Sequence, residues 1–175
     1  LESVIDDIDA LLLVWHPGTE GGNAVADLVS GDHSPSGHLT MCFPRCDGQI
    51  PIRYNHKNTG RPATGIGLKS LDNISKSFQS CYLLTPNSPL YSFGYGLSYT
   101  EFRYDSLEVL TPEVHAGEDV HVKVRVSNVG DADGATVAQL YLRDDVASTT
   151  RPVRELKGFE RVFLKSGETA EIEFV

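Results

Sequence analysis

The sequence lacks most of the features that mark the easily recognised protein classes. Its 175 residues contain three cysteines, Cys42, Cys46 and Cys81. A small, odd number cannot build a disulfide scaffold, so the fold must rest on apolar burial, and cysteine use says nothing about redox compartment. Positive charge is also scarce. Fifteen Lys and Arg face 24 Asp and Glu, a formal charge of −9 with no basic stripe, which argues against nucleic acid and anionic membrane as partners. No apolar run approaches the roughly 20 residues that cross a bilayer. The longest is Ala10 to Trp15, so no membrane insertion is expected. Leu1-Glu2-Ser3 carries no initiating Met, basic region or cleavage-site pattern, so a targeting peptide is not among these residues. What is present, 40% hydrophobic and 22% charged residues, is the composition of a folded globular chain rather than of a disordered or collagen-like one.

The first hundred residues read as the end of an α/β unit. Leu1 to Asp9 carries Val4, Ile5 and Ile8 at helical spacing. Ala10 to Trp15 is continuously apolar, as a strand covered on both faces must be, and His16-Pro17-Gly18 ends it. Thr19 then caps a predicted helix in which Ala24, Val25, Leu28 and Val29 recur at three- and four-residue intervals until Gly31-Asp32. Residues 32 to 92 are dense in Pro, Gly, Ser and Asn and read as long connections, with a short strand expected at Gln49 to Tyr54. Connections of that length usually serve a site or an interface.

Near Thr100 the period changes to two. Val120, Val122, Val124 and Val126 alternate with polar residues, as do Ala138, Leu140 and Leu142. Adding Tyr104 to Leu110, Phe159 to Leu164 and Ala170 to Val175 predicts five short antiparallel strands, with Lys165-Ser166-Gly167-Glu168 suited to a tight hairpin. This is the pattern of a β-sandwich. The chain stops at Val175, inside the last strand, so the sandwich is expected to be truncated, with an apolar face and a sheet edge open to self-association.

Familiar catalytic patterns are missing. Gly18, Gly21 and Gly22 do not form the G-x-G-x-x-G phosphate cradle, and the better reading is a close-packed turn. Cys42 and Cys46, with Cys81, His33 and His38, are conceivable zinc ligands, but there is no second cysteine pair, so no metal or other cofactor is expected. H-E-x-x-H and G-x-S-x-G are both absent. Acids are plentiful, yet nothing pairs two of them at the separation of about 5 Å that a retaining glycosidase needs. Asn73-Ile74-Ser75 is a formal glycosylation acceptor.

The order of the longer motifs is more informative. Trp15 to Leu28, Gly31-Asp32 with Pro35-Ser36-Gly37, Phe43-Pro44-Arg45, Gln49-Ile50-Pro51, Tyr54 to Pro62, Pro89 to Thr100, and Glu155 to Glu160 preceded by Arg151-Pro152 follow one another as in the C-terminal part of family 3 glycoside hydrolases of the bacterial periplasmic β-glucosidase type, which the chain resembles nearly end to end. The resemblance implies that residues 1–100 are the last strand-helix unit and connecting loops of an α/β sandwich domain, and 101–175 an incomplete fibronectin type III-like sandwich. It implies a retaining mechanism in which an Asp on an upstream TIM-type barrel is the nucleophile and an upstream Glu the acid. No acid in this chain matches either, so no catalytic residue and no activity of the isolated chain are expected. It further implies a β-glucoside or oligosaccharide substrate of the parent enzyme and a periplasmic or secreted location. The loop Asn55 to Pro62 is expected to face the substrate cleft, making Asn55, His56, Asn58, Thr59 and Arg61 substrate-proximal. Thr40, Cys42 and Cys46 stand where the family commonly has Pro, Thr and Ser, Ser30 replaces a bulky apolar residue, and Ile66 to Ser80 departs from the pattern.

A second class of function is a stand-alone, non-enzymatic carbohydrate-binding or interaction module built on the sandwich. Such a module needs exposed aromatics. Phe102, Tyr104, Tyr141, Phe159, Phe163 and Phe174 mostly share faces with other apolar residues, which predicts core positions and favours the hydrolase reading.

Overall fold

The computed structural model describes residues 2–63 and 78–175; the Asn73 acceptor and nearly all of the divergent stretch Ile66 to Ser80 lie outside them. The chain forms two compact units, one of Leu1–Leu11, Leu39–Tyr95 and Tyr141–Glu155, the other of Leu12–His38, Gly96–Leu140 and Leu156–Val175.

The second unit is built on the five strands that the period-two patterns predict: β1 Phe102–Val109, β2 Val122–Asn128, β3 Gly134–Leu142, β4 Glu155–Leu164 and β5 Thr169–Phe174. They make a three-stranded sheet in the order β1-β2-β5 and a two-stranded sheet of β3 and β4. In the antiparallel β2-β5 ladder Val122 opposes Phe174, Val124 opposes Ile172 and Val126 opposes Ala170. The apolar side chains of both strands therefore share one face. They meet Ala138 from β3 and Leu164 from β4 in a core centred on Val126, with Phe102, Leu140 and Val162 packed around it. The other face is charged. Lys123 lies between Glu108 and Glu171, Arg125 pairs with Glu171, and His121 contacts Glu173 at 2.8 Å. These exposed pairs keep that face wet and add little stability. On β1 the register shifts between Asp105 and Glu108, where Ser106 takes a left-handed φ of 55°, the conformation of a bulged residue.

One corner joins the two sheets. Asn128, 1% exposed at the end of β2, accepts at Oδ1 from the Thr100 hydroxyl (2.6 Å) and the Gly130 N–H (3.2 Å), and donates from Nδ2 to the carbonyls of Ala132 (2.8 Å) and Leu164 (3.0 Å). Its backbone N–H donates to Glu168, and its carbonyl accepts from Gly167. Lys165 to Glu168 do form a turn, closed by the Glu168 N–H on the Lys165 carbonyl and by the Glu168 carboxylate on the Lys165 N–H. The expected hairpin is not made, because β4 pairs with β3 and β5 with β2. Gly167 sits at φ 76°, where a side chain is disfavoured, and the chain crosses there from one sheet to the other.

Several local expectations are corrected. Among the described residues of the Leu1 to Asp9 segment, only Ile5–Asp7 forms a helical turn, of 3-10 type. Ala10 to Trp15 is not a strand. Leu11 through Trp15 are 39–52% exposed, and no described strand pairs with them; an extended apolar segment cannot become a buried strand without neighbours to take its N–H and C=O groups. The helix α1 spans Gly21–Ser30, capped by Glu20 without a side-chain bond rather than by Thr19, and ends at Gly31, whose N–H donates to Leu28. Val25 and Leu28 are half-buried, but Ala24 and Val29 face solvent. The expected close-packed turn holds at Gly21 alone, where a Cβ would fall 2.5 Å from Pro17, whereas a Cβ at Gly18 or Gly22 would meet nothing within 4 Å. Gln49 to Tyr54 is irregular after a 3-10 turn at Asp47–Gln49. Phe102 and Phe174 are core residues, but Phe159 and Phe163 are 71% and 57% exposed. Both lie on the face of β4 opposite Val162 and Leu164, where apolar alternation by itself does not show which side is covered.

The corner yields a stability prediction. Asn128→Ala removes four side-chain hydrogen bonds and strands the buried Leu164 carbonyl, a loss of about 3 kcal/mol at the usual cost of unmade buried bonds. In urea unfolding the midpoint should fall with an unchanged m value; an unaltered midpoint would contradict the role given to this side chain.

Candidate functional site

The polar loop 55–62 belongs to the first unit, where fixed points hold its two ends. On the N-terminal side Gln49 is fully buried. Its Oε1 accepts from the Arg45 N–H at 2.6 Å, and its Nε2 donates to the carbonyls of Pro86 (2.7 Å) and Ser88 (3.3 Å). An uncharged amide suits this position because it can both donate and accept without the cost of burying a charge. Further on, Lys57 bridges Pro152 and Pro62 bridges Ser80. The Val153 N–H donates to the His56 carbonyl at 2.9 Å, and the Ser80 N–H donates to the Arg61 carbonyl at 2.8 Å. Between these anchors the loop makes no regular structure.

The five residues singled out by resemblance do not form one cluster. Asn55, His56, Asn58, Thr59 and Arg61 are all exposed. His56, its ring nitrogen 3.2 Å from the Lys57 carbonyl, lines an open cavity of about 390 Å³, together with Cys42, Tyr54, Ser92, Arg53 and Arg154 among others. Asn55, Asn58, Thr59 and Arg61 are outside its lining, and the Arg61 guanidinium lies 5.5 Å from the Phe78 ring. Sequence reading missed Arg53 and Arg154. Arg53 immediately precedes the quoted Tyr54 to Pro62 motif, so a wider window would have caught it; Arg154 comes from a segment about a hundred residues away, which only folding brings near.

Beside the cavity, Tyr54 stacks on Phe93 with centroids 4.1 Å apart, and Tyr141 meets both rings edge-on. The Arg154 guanidinium lies 5.5 Å over the Tyr141 ring. Burial raises the Tyr141 phenol above its ordinary pKa of 10.0, with Arg154 opposing the rise and Tyr54 and Cys42 adding to it. Cys42 is half-buried and accepts from the Phe93 N–H at 3.4 Å, Cys46 is exposed and Cys81 half-buried. Among the described residues no three His, Cys, Asp or Glu side chains come together as a metal-binding group.

The Tyr141 environment fixes a pH dependence. Because the folded state holds this proton more tightly, the associated stability is intact below about pH 10 and is lost as pH rises through the folded-state pKa. In a phenolate absorbance titration Tyr141→Phe should remove a late-titrating component, and Arg154→Gln should move that component to higher pH; a shift to lower pH would contradict the arrangement.

Comparison with known proteins places this geometry. Residues 1–99 match the Glycosyl hydrolase family 3 C-terminal domain and residues 136–175 the Fibronectin type III-like domain. The chain is 46% identical over 166 residues to the periplasmic beta-glucosidase of Salmonella typhimurium, covering 95% of this chain and 21% of that protein. It is 38% identical to a beta-xylosidase of Formosa agariphila, with 98% and 22% covered. Among solved structures it superposes on a mutant beta-glucosidase from Listeria innocua in complex with laminaribiose with a TM-score of 0.85 at 46% identity, covering 98% of this chain and 23% of that one. The chain thus spans about a fifth of the length of these relatives. With the family match extending over more than half of its residues, the chain belongs to glycoside hydrolase family 3 and corresponds to the C-terminal part of its β-glucosidases.

Proposed function

We propose that this chain is a structural and accessory portion of a retaining β-glucosidase, one that does not itself carry the catalytic pair. The observation that carries this reading is the 46% identity sustained over 95% of the chain to a segment making up 21% of a periplasmic beta-glucosidase. Under this reading residues 1–100 complete an α/β sandwich domain and residues 101–175 form the fibronectin type III-like domain. The nucleophilic Asp and the acid Glu are supplied by upstream domains, among them a TIM-type barrel. The substrate of the whole enzyme is a terminal β-glucoside or an oligosaccharide, as the laminaribiose complex of the Listeria innocua relative suggests, and its location is periplasmic or secreted. The open sandwich edge is a route to self-association.

The part of this chain closest to chemistry is then the loop from Asn55 to Pro62. Its support is physical: polar, exposed side chains carried on a segment pinned at both ends by the Lys57–Pro152 and Pro62–Ser80 bridges. A loop fixed in this way can present amide and guanidinium donors to sugar hydroxyls with little further loss of entropy on binding. Asn58 and Arg61 are the strongest candidates, with Asn55, His56 and Thr59 beside them. The exposed Phe159 and Phe163 on β4 favour a second reading, a sandwich face that itself binds carbohydrate.

The loop assignment is tested in a complete enzyme carrying this segment. Asn58→Ala and Arg61→Ala should each lower kcat/KM on a β-glucoside by about tenfold, the effect of losing one good polar contact to the bound sugar. An unchanged kcat/KM in both variants would return the loop to a purely structural role.

A further inference from the structure

The cavity beside the loop has a charge that the rest of the chain does not. The protein as a whole is strongly acidic, at −9, yet among the described residues the cavity lining contains Arg53, Arg154 and His56 and no Asp or Glu. Several arginines find carboxylates: Arg45 pairs with Glu2, Arg103 with Asp105, Arg125 with Glu171, Arg143 with Asp145 and Arg151 with Glu155, whereas Arg61 lies over the Phe78 ring and Arg161 donates to the Ser36 hydroxyl. Among the described residues neither Arg53 nor Arg154 is in such a pair, and Arg154 instead lies over the Tyr141 ring. Two guanidinium-bearing residues on one cavity lining give it a positive potential, and that potential attracts an anion. The guanidinium fork matches the paired oxygens of a carboxylate or phosphate. Ser88 and Ser92 add neutral hydroxyls to the same lining. At about 390 Å³ the cavity is within the size range of small-molecule sites, and Tyr54 in its lining is held by stacking on Phe93.

We propose that this cavity is a binding site for a small oxyanion, with Arg53 and Arg154 as the two clamps and His56 at the rim. The shared chemistry is a pair of negatively charged oxygens, borne either by the carboxylate of a sugar acid or by free phosphate. The site goes beyond the glucosidase reading and does not rest on it, so the 175-residue chain is sufficient for the test.

The experiment is an amide chemical-shift titration of the chain with glucuronate, inorganic phosphate and glucose, repeated at higher ionic strength. The expected result is saturable shifts in residues 52–56, 92 and 153–154 with at least one of the two anions, weakened by salt, and none with glucose. Binding of glucuronate alone identifies a sugar acid as the occupant, and binding of phosphate alone identifies the free anion. Arg53→Gln and Arg154→Gln should each weaken binding by about tenfold. Both side chains are exposed, so these variants keep the dispersed spectrum of the folded chain, and Arg53→Lys, which keeps the charge but loses the fork, should fall between. No saturable shift with either anion, equal binding of glucose, or undiminished binding in both glutamine variants would overturn the proposal.

Discussion

A single buried amide holds the sandwich together. Two sheets of three and two strands can face each other only if the chain crosses between them, and here it crosses twice, after β2 and at the turn that follows β4. A crossing turn leaves backbone groups out of both ladders, and those groups must be satisfied if they are to be buried. Asn128 ties three stretches of chain together, reaching Thr100, Gly130, Ala132 and Leu164 through its side chain and Glu168 and Gly167 through its backbone. An Asp of the same shape would place an uncompensated charge at 1% exposure, and an apolar residue would leave the carbonyls bare. The core around Val126 then packs on either side of a fixed corner.

The same device recurs at smaller scale in the other unit. Gln49 is fully buried and ties Arg45 to Pro86 and Ser88, giving an irregular region the internal bonds that a sheet would otherwise supply. Long connections rich in Pro, Gly and Asn can hold one shape when a few amides replace regular structure as the source of hydrogen bonds. That is the condition for such a connection to present side chains at a site, and the loop 55–62 meets it through the bridges at Lys57 and Pro62.

What could be read from the residues depended on whether the signal was local. The five strands were legible because alternation of Val122, Val124 and Val126, or of Ala138 and Leu140, is a property of a few consecutive residues. The helix at Gly21–Ser30 was legible for the same reason, although its cap was not. The exposed run Leu11 to Trp15 was misread because apolar continuity reports only that a segment would gain from burial, not that neighbours exist to bury it. Phe159 and Phe163 show the same gap, since period two gives two faces and does not say which is covered. The exchange of sheets at Gly167 escaped because a glycine turn permits both a hairpin and a crossing. Of the residues lining the cavity, His56 lies in the loop the motif marks and Arg53 just before that motif, whereas Arg154 comes from a distant segment that only folding brings near. The family was legible for a different reason: several long motifs in one order are specific even when no single element is well predicted.

The two levels meet in one physical picture. On the proposed reading, a fibronectin type III-like sandwich with a rigid corner and a loop region braced by buried amides support a site whose reacting groups come from elsewhere. The most direct measurement is the rate of β-glucoside hydrolysis by a chimaera in which this chain replaces the corresponding segment of the Listeria innocua beta-glucosidase, beside the isolated chain. A chimaera with kcat/KM within about tenfold of the parent, and an isolated chain with no activity, is the expected result. A folded but inactive chimaera, or hydrolysis by the isolated chain, would contradict it.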